Sequence, residues 1–285
     1  MRERPPEPIP TPPNGARDRL PKLDGTYPLD TGAAPRLTAD GHLTLRSVLG
    51  DDEVAAYARA VRRAIARTEP LLPTSAEGEV YRRAFAQHTN LWRVDPGVAQ
   101  LVRSPRLGAL AARLLDVERV RLYHDQALFK APGGGHTPWH QDMAYWPLET
   151  DRTLTMWLPI VGVTAPMGEL RFARGSHLAG DLLGDVPIST AADTRAEALL
   201  VERGFELDST GELRAGDASF HLGWTLHAAT ANTTDRAREV MTVIWFADGT
   251  RVSEPRNDGQ ANDLATWLPG LRPGDLAASE LNPLV

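Results

Sequence analysis

Three side chains in this 285-residue sequence have the types and order needed to hold a metal ion. They are His140 and Asp142 in "TPWHQDMAYW" and His227 in "FHLGWTLHAATANTTDRAREV". In extended chain, positions i and i+2 share a face, so an imidazole and a carboxylate can meet one cation while Gln141 points away. A His-x-Asp pair alone is a weak signal, and its ordinary alternative is the polar face of a half-exposed strand. His227 alone reads as a buried, hydrogen-bonded histidine. Two imidazoles and one carboxylate on one side of an iron(II) leave positions open for small ligands and oxygen, whereas a structural zinc site closes its coordination. Cysteine is absent, so any metal is held by N and O. Arg238 follows His227 at the head of an apolar run, and its planar fork can grip a carboxylate through two parallel hydrogen bonds.

These residues need a scaffold of short strands. From "VERVRLYHDQALFKAPGG" onward the chain alternates or runs apolar in short segments punctuated by Gly, Pro, Asn and Asp, without intervening helices. That pattern predicts an antiparallel sandwich or barrel with the earlier helices packed outside it. Ahead of it, "DGHLTLRSVL" (40–49) reads as a strand, and "GDDEVAAYARAVRRAIAR" as a helix with Asp51 or Asp52 near its N-cap. Residues 96–116 read as a helix divided at Pro105. Residues 1–36 are rich in proline and read as an extended arm wrapped over the body or partly disordered, so 37–285 are expected to form one domain. The segment 179–217, with a helical stretch near 191–203, reads as a lid-like insertion.

Composition excludes several functions. A content of 42% hydrophobic and 24% charged residues is that of a globular protein with ample core. A net charge of −6 disfavours nucleic acid as a partner, and the basic cluster Arg59, Arg62, Arg63 and Arg67 reads as a solvated helix face. No apolar run approaches the roughly 20 residues of a membrane span, and "MRERPPEPIPTPPNG" lacks a signal-peptide core, so a cytoplasmic protein without membrane partners is expected. A homo-oligomer is left open.

The segments "DGHLTLRSVLGDDEV", "DQALFKAPGGGHTPWHQD", "WLPI", "GELRFARGSH", "GDASFHLGWTLHAATANTTDRAREVMTVIWF" and "LPGLRPGDLAASELNPLV" together resemble the phytanoyl-CoA dioxygenase family of Fe(II)/2-oxoglutarate-dependent oxygenases. The resemblance spans nearly everything from residue 37. It implies a mainly β fold with flanking helices, the double-stranded β-helix (a cupin-like jelly roll). It also implies Fe(II), with 2-oxoglutarate as co-substrate and O2 as oxidant. By that resemblance His140, Asp142 and His227 match the iron ligands, and Arg238 the arginine that pairs with the distal carboxylate of 2-oxoglutarate. Gln126 and Thr137 lie where relatives contact the co-substrate, and Trp157 where an indole borders it. Ala229 departs from relatives that place a hydroxyl there, and Thr230 or a water is the substitute. A carboxylate at 142 favours hydroxylation or a related oxidation over halogenation. A metal-dependent isomerase or hydrolase has no need of Arg238, and a jelly-roll binding protein has no need of the triad.

The substrate is expected to be a small molecule. Residues 179–217 carry nine acids against three bases, an excess equal to the net charge of the whole chain. A lid of that charge would attract a cationic substrate and repel an acyl-CoA. The expectation is an amine-bearing sugar of the aminoglycoside class, oxidised at an amine-bearing ring carbon to a ketone with release of ammonia. Tyr145, Trp146, Glu169, Asp181 and Asp185 are the candidate substrate contacts.

Overall fold

The computed structural model describes residues 20–71 and 84–285. Its strands, in chain order, are β1 (His42–Leu45), β2 (Ala86–Thr89), β3 (Val120–Lys130), β4 (Thr137–His140), β5 (Thr153–Pro159), β6 (Leu170–Ala173), β7 (Leu207–Ser209), β8 (Ala218–Leu222), β9 (His227–Ala229) and β10 (Arg238–Ala247). They form a six-stranded sheet, β1-β8-β5-β10-β3-β2, and a four-stranded sheet, β4-β9-β6-β7, antiparallel throughout. This is the jelly roll, with the strands carrying the candidate ligands on the smaller sheet.

The period-2 pattern of β10 assigns its two faces. Met241, Val243 and Trp245 join the main core with the helices, while Val240, Thr242, Ile244 and Phe246 face the barrel interior. The helices against the outer face are α1 (Ala33–Asp40), α2 (Asp51–Ile65), α3 (Pro96–Val102) and α4 (Pro105–Leu115). Tyr57, Val61, Leu101, Leu110 and Trp245 are buried there, and each such large side chain contributes about 1.5–3 kcal/mol by leaving water. Two further helices are α5 (Thr190–Arg203) and α6 (Asp258–Trp267). Pro105 ends one helical run and opens the next, with Ser104 accepting from Leu107 N at the new N-cap. Among the described residues no helix is long and apolar enough to cross a membrane.

Three expectations need correction in detail. The strand expected over 40–49 is only His42–Leu45, because Ser47 takes a positive φ of 52° and its N–H donates to Asp217. The arm expected to end at 36 runs into α1, which crosses that boundary; residues 1–19 of it lie outside the described residues. Its described part packs on the body, where Pro21 O accepts from Tyr57 and Gln100. The acidic segment 179–217 is not one insertion: β7 pairs with β6 in the small sheet, and Leu213 bridges Val163. Charge counted over a segment cannot see a three-residue strand.

Candidate active site

β4 and β9 are neighbours in the small sheet, and their register sets His140 directly opposite His227, with ring centroids 4.1 Å apart. β4 ends at His140, but Gln141 stays extended (φ −123°, ψ 121°) before a short 3-10 turn begins at Asp142. The i, i+2 relation therefore holds, and Asp142 Oδ1 lies 3.7 Å from His140 Nε2 and 3.8 Å from His227 Nε2. One ligand atom from each of the three residues falls within 4.8 Å of the others. Gln141 points away and is buried, donating to Gly180 O and Trp224 O and accepting from Leu182 N. It ties the 180–182 loop and the turn before β9 to the back of the metal motif.

The donor set fits a divalent metal. His140 Nδ1 is 2.7 Å from Pro138 O and His227 Nδ1 is 2.9 Å from Thr225 O, so each ring donates at Nδ1 and presents the lone pair of Nε2. Burial, and then the neighbouring histidine, pushes both imidazoles down to about 4. Burial alone would raise the Asp142 carboxyl, but His227, His221 and His140 together bring it well below the usual carboxylate range. Two neutral imidazoles and one carboxylate anion are the protonation states that metal binding requires.

Arg238 opens β10 opposite Lys130, at the other end of the same cavity. It is buried, its Nη1 donates to Gly168 O at 2.6 Å, and its guanidinium lies 5.2 Å from the Trp157 ring centroid. Its Nε has no partner, and burial pushes the group down to about 9, so it stays charged at neutral pH. A buried cation in this state calls for an anion, and none of the described residues supplies one. Gly168 has φ +98°, and a Cβ there would meet Thr230 O at 2.7 Å, so glycine lets this backbone approach the arginine. Thr137 and Gln126 line the cavity; the Thr137 hydroxyl is buried without a partner, and Gln126 Oε1 accepts from Gln87 Nε2. Thr230, the expected stand-in at the Ala229 position, also has a buried, unpartnered hydroxyl. The cavity thus offers a polar, cationic end for a carboxylate and a metal-ligating end, which fits 2-oxoglutarate.

The residues expected to contact substrate stand outside the lining of this cavity. Trp146 is core, 5.4 Å from the Tyr123 ring, and the Tyr145 hydroxyl accepts from Ile188 N. Asp181 accepts from Gly184 N and Asp185 from Asn257, both in exposed loops. Neither these residues nor Glu169 line the cavity. Other acids of the segment serve the fold: Asp193 accepts from Trp139 N and contacts His136, and Asp217 accepts from Ser47 N, Arg214 N and Arg46.

Sequence reasoning passes over three residues at the site. His221 and Thr155 both reach Asp142, at 3.2 Å and 2.9 Å. Lys130 is fully buried beside Arg238, with its ammonium held by Gly135 O and Thr230 O. The inward parity of Gln126, Leu128 and Lys130 along β3 is the available signal for the lysine. Burial, then Arg238, pushes Lys130 down to about 7. The unfolded chain restores an ordinary lysine, so between about pH 7 and 10 it binds more protons than the native state, and stability rises with pH across that window. Denaturant midpoints measured over this range are expected to climb less steeply in Lys130→Met than in wild type; parallel profiles would refute the assignment.

The family model described as phytanoyl-CoA dioxygenase (PhyH) matches residues 37–240. An ectoine dioxygenase from Bordetella parapertussis is 27% identical over 240 residues, covering 76% of this chain and 75% of its own. The carbocyclase SnoK of nogalamycin biosynthesis superimposes with a TM-score of 0.75 at 26% identity, covering 92% of this chain and 99% of its own. The epimerase SnoN, crystallised with Fe3+, alpha-ketoglutarate and nogalamycin RO, gives 0.74 at 26% identity, over 88% and 96%.

Proposed function

The chain belongs to the phytanoyl-CoA dioxygenase family, and from that premise we propose that its cavity works as an Fe(II)/2-oxoglutarate-dependent dioxygenase site. His140, Asp142 and His227 would hold the iron, and Arg238 would take the distal carboxylate of 2-oxoglutarate. The observation that carries this is one cavity with both ends built: a His-Asp-His cluster and a buried guanidinium with no anionic partner among the described residues. When bound, iron with 2-oxoglutarate and O2 supplies an oxidant strong enough to break a substrate C–H bond, with succinate and CO2 as co-products. The protein positions the reactants. Arg238 orients the co-substrate, Trp157 backs the guanidinium, and the buried walls formed by Leu170, Ala228 and Ala229 limit water.

The substrate is a small molecule. Relatives named for ectoine and for nogalamycin biosynthesis support a small metabolite over an acyl-CoA. At the finer level we read it as an aminoglycoside such as kanamycin B, oxidised at an amine-bearing carbon to a ketone and ammonia. That choice rests on the acidic excess of 179–217, of which Asp193 and Asp217 are engaged within the fold while Asp181 and Asp185 lie in exposed loops. The test is succinate formation with Fe(II), 2-oxoglutarate and a panel of aminoglycosides, cyclic amino acids, polyketide glycosides and acyl thioesters. If an aminosugar alone stimulates turnover, its KM is expected to rise with added salt and in Asp181→Asn and Asp185→Asn. Turnover only with neutral or anionic compounds refutes the aminoglycoside reading and leaves the dioxygenase reading intact.

A further inference from the structure

Asp142 presents its two oxygens to different neighbours. Oδ1 faces Nε2 of His140 and of His227, while Oδ2 receives Thr155 Oγ1 at 2.9 Å and His221 Nε2 at 3.2 Å. An ionised carboxylate only accepts, so His221 must donate from Nε2, and its Nδ1 is buried without a partner. Two donors on Oδ2 use the lone pairs through which it would otherwise reach a metal. Neither donor is free to swing. Thr155 and His221 are directly paired residues of β5 and β8, both buried. The His221 ring lies 4.3 Å from that of His227 and 5.7 Å from Phe172.

We propose that His221 and Thr155 are positioning residues that restrict Asp142 to one metal-facing oxygen, keeping a coordination position free for a small ligand. This rests on His140, Asp142 and His227 being the metal site. Carboxylates bind metals through one or both oxygens, and a two-oxygen grip takes an extra position. Were 2-oxoglutarate to take two positions of a six-coordinate metal beside the three protein ligands, that extra position would be the one oxygen needs.

The test uses Mn(II) as a redox-quiet stand-in and water-proton relaxation, which reports exchangeable water on the metal without turnover. In wild type, 2-oxoglutarate should lower the relaxivity but leave a residual contribution from one water. In the Thr155→Val/His221→Phe double variant that residual should vanish, and His221→Gln, which restores an N–H donor, should keep it. Thr155→Val alone is nearly isosteric and should lose part of the residual, so it carries the test if the double variant does not fold. A folded double variant, or failing that Thr155→Val, with the wild-type residual overturns the proposal. A gain of water in His221→Phe also overturns it, because His221 would then be a ligand itself. Failure of the underlying metal-site reading looks different: 2-oxoglutarate would leave the wild-type relaxivity unchanged.

Discussion

An Arg238→Ala protein is expected to bind 2-oxoglutarate more weakly by on the order of 2–5 kcal/mol, the cost of removing one partner from a buried charge pair. That is a loss of roughly thirtyfold to several thousandfold. The size follows from where Arg238 sits. It is 1% exposed, and among the described residues only the Gly168 carbonyl accepts from the side chain and its Nε is unpartnered, so its charge is desolvated before the ligand arrives. A carboxylate entering this end meets a guanidinium already fixed between Gly168 and Trp157, and little ordering remains to be done. Metal affinity should hardly change, because Arg238 touches none of the three candidate ligands. Isothermal titration of 2-oxoglutarate into the Mn(II)-loaded variant measures the loss directly, and an unchanged affinity would remove Arg238 from the site. Lys130 sharpens the expectation: its ammonium is committed to the Gly135 and Thr230 carbonyls, so it does not replace the lost fork.

The legible parts of this molecule are those with a local pattern. β3 and β10 run over eleven and ten residues of mostly apolar chain, long enough to mark central strands buried on both faces, and Pro105 marks its helix break through a missing N–H. His140 and Asp142 share a face because extended backbone requires it, whatever lies beyond. What the sequence does not display is which strand joins which sheet. His221 stands six residues before His227, and along one continuous strand the two would share a face of a single sheet. Instead β8 belongs to the large sheet and β9 to the small one, joined by the Gly223–Trp224 turn, so the two imidazoles approach from opposite walls. Thr155 is hidden in the same way, since nothing in "TLTMWLPI" tells its inward hydroxyl from the other polar residues of a buried strand. The 179–217 segment misleads for the converse reason. Net charge is a property of a stretch of chain, but Asp193, Asp208 and Asp217 are dispersed among β4, β1 and the β8 approach, where they contact Trp139, His42 and Ser47.

The largest effect should come from the metal ligands, and His227→Ala isolates it best. His227 contributes one atom to the cluster, Nε2, while its Nδ1 is spent on Thr225 O. Its backbone pairs with His140 and Phe172 whatever the side chain, so β9 keeps its place in the sheet. Deleting this buried ring and its hydrogen bond to Thr225 O lowers the stability of the fold, but the sheet pairing stays, whereas two ligands, His140 and Asp142, cannot hold a divalent ion in a defined geometry. Loss of a group behind a ligand typically costs 10–100-fold in affinity or activity, so loss of a ligand itself should exceed that, with turnover falling on the order of a thousandfold or more. The variant, dialysed against a weak chelator, should retain far less iron than wild type by elemental analysis. Its thermal midpoint, compared with wild type in the metal-free state, should fall only by what one lost buried ring entails, with the unfolding transition still cooperative. Full iron content in the variant would overturn the assignment of His227 as a ligand and make it a structural histidine of β9, with the ion held by other groups.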